Sequence, residues 1–305
     1  MSECLGQPEL AIVRLRMRFA PVSPGRLEGY TGSAWRGGLG HELRRAVCRT
    51  GAPDCGGCPH LAECDYPLAF ETPADGLLGK VDSAPRPFGL AALPTPLGEQ
   101  ELYLTLYGSG VRFLPVLAQA LAGAGDKGIG PGRVRFGLRE TRYEAAAGSG
   151  VWQEFAAATG AMEPARWPPP PGVARVRLVT PLRVRRRERY IGEREFRFSD
   201  LFTSVLRRVS LLCRAYGRPL DTDFRGLTAR SEEVPLRAAD LRWHDWSRYS
   251  SRQEKAIAMG GVVGEFAWAP AQAPELWPYL WLGQFTQAGK GTTLGLGWYE
   301  MGSQA

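Results

Sequence analysis

The sequence predicts an α+β protein built as two tandem ferredoxin-like domains, with a cysteine-rich insert in the first. Three observations carry this expectation. Both halves run strand, helix, strand, helix, glycine loop, strand. A stiff proline-rich segment, EPARWPPPPG (Glu163–Gly172), lies between them. The two halves also end alike, in GDKGIGPGRVRFGL and GKGTTLGLGWYEM, which share order and loop chemistry but few identical residues. The domains are accordingly placed at 1–162 and 173–305, joined by a linker at 163–172.

The first half opens with a strand in which Val13, Leu15, Met17 and Phe19 alternate with Arg14, Arg16 and Arg18. A period of two with one charged side marks a half-buried strand. In GSAWRGGLGHELRRAVC, Trp35, Leu39, Leu43 and Val47 recur at helical spacing, which predicts a helix from about Ser33 to Cys48. Its glycines Gly37, Gly38 and Gly40 are poor helix formers and call for a close packing partner. After the cysteine insert come ELYLTLYG as strand, VRFLPVLAQALAG as helix, then a glycine loop and a strand. In the second half, VARVRLV reads as a strand and SDLFTSVLRRVSLLCRAYG as a helix capped by Ser199 or Asp200. GGVVGEFAWA, APELWPYLWLGQF and GWYEM then supply strand, helix and strand.

Of 38 basic residues only four are lysines: Lys80, Lys127, Lys255 and Lys290. The net charge of +7, carried by arginine, favours a polyanionic partner, because guanidinium binds phosphate bidentately and stacks on bases. A hydrophobic content of 44% is enough for packed cores and excludes a disordered chain. No apolar stretch is long enough to span a membrane, and MSECLGQPEL lacks signal-peptide order, so a cytoplasmic location is expected.

Cys48, Cys55, Cys58 and Cys64 follow the spacing C-x6-C-x2-C-x5-C in a stretch dense with glycine and proline. Four thiolates can complete a tetrahedral site and staple a loop that has no core. A structural zinc is the first expectation and an iron–sulfur cluster the alternative, with His60 able to replace one thiolate. Near the other end, GKGTTLGLGWYE spans the glycine-rich loop at 289–297. A loop so bare of Cβ atoms is either a tight turn or a backbone surface that touches a phosphate chain.

The combination of GSAWRGGLGHELRRAVC, the cysteine loop ending CDYPLAFE, WHDWSRYSSRQ with MGGVVGE, and GKGTTLGLGWYE resembles the CRISPR repeat-specific endoribonucleases of the RAMP superfamily. The likeness runs from about Arg14 to Glu300. It implies two ferredoxin-like (RRM-like) domains and metal-independent cleavage of precursor CRISPR RNA, leaving a 2′,3′-cyclic phosphate. It also implies delivery of the guide RNA to an effector complex.

Self-cleavage of RNA needs a base at the 2′-hydroxyl, an acid at the 5′-oxygen and a cation for the phosphorane charge. The resemblance places a histidine on the first long helix and a tyrosine in the loop before it. His41 and Tyr30 occupy those places, with Arg45 or Arg44 as charge stabiliser. His244 is the rival imidazole; with Arg248, Tyr249 and Arg252 it reads first as RNA-binding surface. Arg44, the run containing Arg183, Arg185 and Arg186, and the loop residues Lys290, Thr292 and Thr293 complete the expected RNA contacts. The Arg14/Arg16/Arg18 face is a second candidate track. A RAMP subunit that binds guide RNA without cutting it is the alternative function, and a zinc-stapled protein-interaction module a third.

Overall fold

A computed structural model describes residues 6–72, 84–155, 163–250 and 255–303. The chain divides into two compact units, one of residues 10–164 with 214–217, the other of residues 6–9, 165–213 and 218–303.

In the first unit, β1 (Ile12–Pro21) leads to α1 (Gly32–Val47), the cysteine loop and a π-turn at Pro67–Glu71. Then come β2 (Phe88–Pro94), β3 (Gln100–Tyr107), α2 (Leu114–Lys127), β4 (Phe136–Glu144) and β5 (Trp152–Glu154). The antiparallel sheet has the order β2-β3-β1-β4-β5. Read without β5, this is the βαββαβ arrangement of a ferredoxin-like fold. The alternation of β1 sends Leu15, Met17 and Phe19 inward against Trp35, Leu39 and Leu43 of α1 and Leu117 and Leu121 of α2. Each such side chain contributes about 1.5–3 kcal/mol by leaving water.

The sequence reading omits β2. Its first five residues, Phe88–Ala92, are all buried, so no polar/apolar alternation marks it. The glycines of α1 find their partners: a Cβ at Gly40 would lie 2.5 Å from the Phe70 ring, and one at Gly38 3.0 Å from Ala124 Cβ. The neighbours are side chains rather than a second backbone, and Gly37 faces open space.

The second unit repeats the plan. β6 (Ala174–Leu182) is followed by a small hairpin, β7 (Arg185–Arg186) and β8 (Arg189–Tyr190), and by α3 (Phe198–Tyr216). Next come α4 (Phe224–Glu232), β9 (Arg237–His244), the hairpin β10 (Ser247–Ser250) and β11 (Lys255–Ala258), β12 (Gly261–Trp268), α5 (Trp277–Thr286) and β13 (Tyr299–Ser303). Its main sheet, β13-β6-β12-β9, sets the fourth, first, third and second strands of the motif side by side, the same order as β4, β1, β3 and β2 in the first unit. The sequence reading misses β9 as well, because this edge strand is exposed along most of its length and only Leu241 and Trp243 of its alternating side are half-buried.

The expected cap of α3 is corrected. The helix starts at Phe198, so Ser199 and Asp200 lie inside its first turn. Asp200 reaches back to accept the Arg197 backbone N–H at 2.8 Å, where a carboxylate also suits the helix dipole.

Candidate active site

Helix α1 carries the candidate site. Its first turn is fixed from behind by a buried polar cluster: Thr31 Oγ1 and Trp35 Nε1 both donate to Gln100 Oε1, at 2.7 and 3.3 Å. With Trp35, Leu39 and Leu43 turned into the core, His41 is left exposed. It lines a concavity of about 430 Å³ together with Arg44, Arg45, Cys48, Gly51, Ala52 and Pro53. Arg44 and Arg45 occupy the last turn, where cations suit the helix dipole.

The two arginines beside His41 are not equivalent. Arg45 donates Nη2 and Nε to the buried carboxylate of Glu42, at 2.6 and 3.0 Å. The hydrogen bond to Glu42, and then its charge, hold the Arg45 pKa above its ordinary value, while most of the guanidinium stays exposed. Arg44 has no carboxylate partner among the described residues. It donates to the carbonyls of Ala52 and Pro53 and lies 5.6 Å over the Tyr66 ring, which keeps its full charge at the edge of the concavity.

Tyr30 is likewise corrected. Its hydroxyl is buried beside the Ala92 backbone, and burial pushes its pKa well above the ordinary phenol value. A phenol oxygen sealed from solvent cannot reach a ribose or a leaving oxygen, so Tyr30 braces β2 instead.

The four cysteines meet around one small cavity of about 20 Å³, lined also by His60, Arg44 and Tyr66. All four are free thiols. Among the described residues, no three His, Cys, Asp or Glu side chains stand in ion-holding geometry. The Gly51 N–H donates to Cys48 Sγ at 3.3 Å, and this bond is the main reason the Cys48 thiol sits below its ordinary pKa. Cys55 is pushed up by desolvation first, then by the negative charge of Glu71 and of its neighbours Cys64 and Cys58.

In the second unit the glycine loop folds onto its own strand. Lys290 N donates to Arg183 O, Gly297 N to Pro181 O, and Thr180 Oγ1 to Gly295 O at 2.9 Å. Gly289 and Gly297 have φ of 80° and 72°, and a Cβ there would collide with the carbonyls of Arg183 and Ala288. What passes so close is the protein's own backbone, so the tight-turn reading accounts for these two glycines. Thr292 is buried, while the Lys290 side chain is exposed. Thr180, fully buried and bridging β6 to the loop, carried no signal in the sequence beyond a threonine in a strand.

The arginine run is similarly accounted for. Arg186 forms a bidentate pair with Asp200 at 3.0 and 2.6 Å, and Arg185 pairs with Glu188 and lies 4.6 Å over Tyr190. Arg183 is buried over the same ring at 4.4 Å, with Nη1 donating to Met259 Sδ. The Arg14/Arg16/Arg18 face is corrected too: Arg14 pairs with Glu144, Arg16 with Glu101 and Glu140, and Arg18 with Glu99. A face neutralised by cross-strand carboxylates is a poor track for RNA. His244 is exposed at the end of edge strand β9. Arg248 and Tyr249 belong to β10, and Arg252 lies outside the described residues.

Comparison with known proteins follows the same division. The model of an N-terminal domain family, AF_1859_N, matches residues 10–165, and the model of the CRISPR-associated endoribonuclease Cas6 matches residues 176–299. No curated protein matches the chain. Among solved structures, a Cas6 product complex superposes with a TM-score of 0.61 at 18% identity, covering 95% of this chain and 98% of that one. A Thermus thermophilus Cas6 gives 0.55 at 19% identity, covering 96% and 98%. A Cas6-related protein from Pyrococcus furiosus gives 0.54 at 10% identity, covering 96% and 100%. These likenesses establish the fold, and among the described residues no helix is long and apolar enough to cross a membrane. Each unit is thus matched by its own family model, and residues 176–299 form a domain of the CRISPR-associated endoribonuclease Cas6 family.

Proposed function

We propose that this chain cleaves CRISPR repeat RNA through the RNA's own 2′-hydroxyl, with His41 as the proton-transfer residue. The imidazole takes the 2′-hydroxyl proton, O2′ attacks the adjacent phosphorus, and the bond to O5′ breaks as that oxygen takes the proton back from the imidazolium. The products are a 2′,3′-cyclic phosphate and a 5′-hydroxyl end, and no water is consumed. Arg44 supplies the cation nearest to the developing phosphorane charge. The observation that carries this reading is an exposed imidazole at a concavity large enough for a nucleotide, on a helix whose opposite face is locked in the core. Structures of Cas6 proteins with a product and with a substrate mimic support repeat RNA as the substrate class. Lys290 and His244, both exposed, are the proposed backbone and base contacts of the second unit. In this reading the cysteine loop holds a structural zinc that takes no part in the chemistry.

A second reading has its own observation. With Arg45 tied to Glu42 and Tyr30 buried, His41 has no second acid–base group beside it on α1, which favours a subunit that binds guide RNA without cutting. End-labelled repeat RNA, incubated with and without EDTA, separates the two. Cleavage to a cyclic-phosphate end that survives EDTA and falls about 10²–10⁴-fold in His41→Ala supports catalysis at His41. Tight binding with no cleavage by the unsubstituted chain supports the second reading. Loss of cleavage in His244→Ala but not in His41→Ala would move the imidazole to β9.

A further inference from the structure

We infer that Cys48, Cys55, Cys58 and Cys64 hold one soft cation, zinc by its coordination preference, and that this ion fixes one wall of the His41 concavity through Arg44. The four thiols come from a segment with no core of its own. Residues 49–63 contain no strand or helix, and Leu61, their bulkiest apolar side chain, is exposed. Local turns hold it, such as Cys58 N to Cys55 O and Cys64 N to His60 O. Yet its ends are rigid: Cys48 caps α1, donating its N–H to Arg44 O at 2.9 Å, and Cys64 sits just before the Pro67–Glu71 turn. A loop so placed needs a cross-link. The space of about 20 Å³ that the four thiols line has room for one ion, and since no three of these side chains stand in ion-holding geometry as placed, binding would draw the thiols together. Four sulfur donors select a tetrahedral, thiophilic ion. The backbone N–H that Gly51 aims at Cys48 Sγ is the outer-shell contact that such a thiolate requires.

The link to the active site is Arg44. Its side chain lines both spaces, the thiol cavity on one side and the His41 concavity on the other. Its guanidinium is held by Ala52 O and Pro53 O, two residues carried by the loop between Cys48 and Cys55, and by the Tyr66 ring two residues past Cys64. Ala52 and Pro53 are themselves part of the concavity wall. Releasing the ion frees the loop, and with it the carbonyls that aim Arg44. The ion therefore acts on RNA binding and leaves proton transfer at His41 to the imidazole.

The metal claim stands on the thiols alone, whereas the coupling claim rests on the RNA-processing reading, so two measurements are needed. Elemental analysis of the purified full chain is expected to give about one zinc per chain, lost in Cys58→Ser and kept in His60→Ala. Should Cys58→Ser fail to fold, replacing zinc by Co²⁺ in the unsubstituted chain is expected to give the intense charge-transfer absorption of a tetrathiolate site. Absence of both bound zinc and that spectrum overturns the site, as does iron with acid-labile sulfide. The second measurement is repeat-RNA binding and single-turnover cleavage before and after zinc removal. Affinity is expected to fall about tenfold, which is about 1.4 kcal/mol, and to return on adding Zn²⁺, while the rate at saturating RNA stays within about twofold. Unchanged affinity in a zinc-free, folded chain overturns the coupling. A chain that binds zinc but processes no repeat RNA leaves the site standing and sinks the RNA-processing reading instead.

Discussion

Trp35 Nε1 donates to Gln100 Oε1 at 3.3 Å, joining the first turn of α1 to the start of β3 inside the core. The same oxygen accepts Thr31 Oγ1 at 2.7 Å, so one buried acceptor satisfies two donors. Gln100 thereby sets the height and rotation of the helix that presents His41. Gln100→Ala leaves both donors buried without that acceptor, and each such group costs about 1–3 kcal/mol. Urea denaturation is expected to show a loss of about 2–4 kcal/mol. A change below about 0.5 kcal/mol would mean that water or another acceptor replaces the amide.

Gly40 and Gly37 lie one helical turn apart in α1 and should respond oppositely to alanine. At Gly40 the new methyl would lie 2.5 Å from the Phe70 ring and displace it, at a cost of about 1–3 kcal/mol. At Gly37 nothing lies within 4 Å, so helix propensity alone acts and Gly37→Ala is expected to stabilise by up to about 1 kcal/mol. Thermal melts of the two single variants test both signs at once.

Ion pairing sorts the arginines and lysines by what they can offer RNA. Arg18 is engaged with Glu99 at 3.3 Å on the outer face of the first sheet, while Lys290 is exposed and has no ion pair among the described residues. Removing a cation that contacts phosphate lowers the slope of log K against log salt by about one. Lys290→Ala is therefore expected to flatten the salt dependence of repeat-RNA binding by about one unit, and Arg18→Gln to leave it unchanged. Equal slopes for both variants would remove Lys290 from the interface.

Cys213 is fully buried in α3, and burial pushes its thiol up to about 12. In the unfolded chain a thiol ionises near about 8.5. Between these values the folded state keeps a proton that the unfolded state releases, so stability falls as pH rises, by about 1.4 kcal/mol per unit. Below about pH 8 the full stabilisation is present. Chemical denaturation from pH 8 to 10 is expected to show this decline, and Cys213→Ala to make it shallower. An identical slope in the variant would assign the alkaline loss to the buried tyrosines.

The periodic elements were legible from the sequence because burial on one face writes itself into the chain. The arginine-apolar alternation of β1, the stripe on α1 and the broad apolar face of α3 all appear where read, to within a residue or two. The gathering of four cysteines around one space was legible too, since spacing alone limits how far a short loop can separate them. Strands β2 and β9 were not legible, the one buried on both faces and the other exposed at an edge.

Which charged or polar groups remain available for chemistry was decided only by the tertiary structure. Arg45 and Arg186 look like free cations in the sequence, yet Glu42 and Asp200 claim them, and the Glu42 carboxylate is itself buried. Tyr30 sits in a promising loop, and its hydroxyl is packed away beside β2. The glycines at 289 and 297 suggest a ligand, and the backbone carbonyls of Arg183 and Ala288 fill the space instead. The physical reason is common to all of these. Periodicity is a local property of the chain, whereas burial and the choice of partner, even for the Glu42–Arg45 pair three residues apart on one helix, depend on how the folded backbone turns each group.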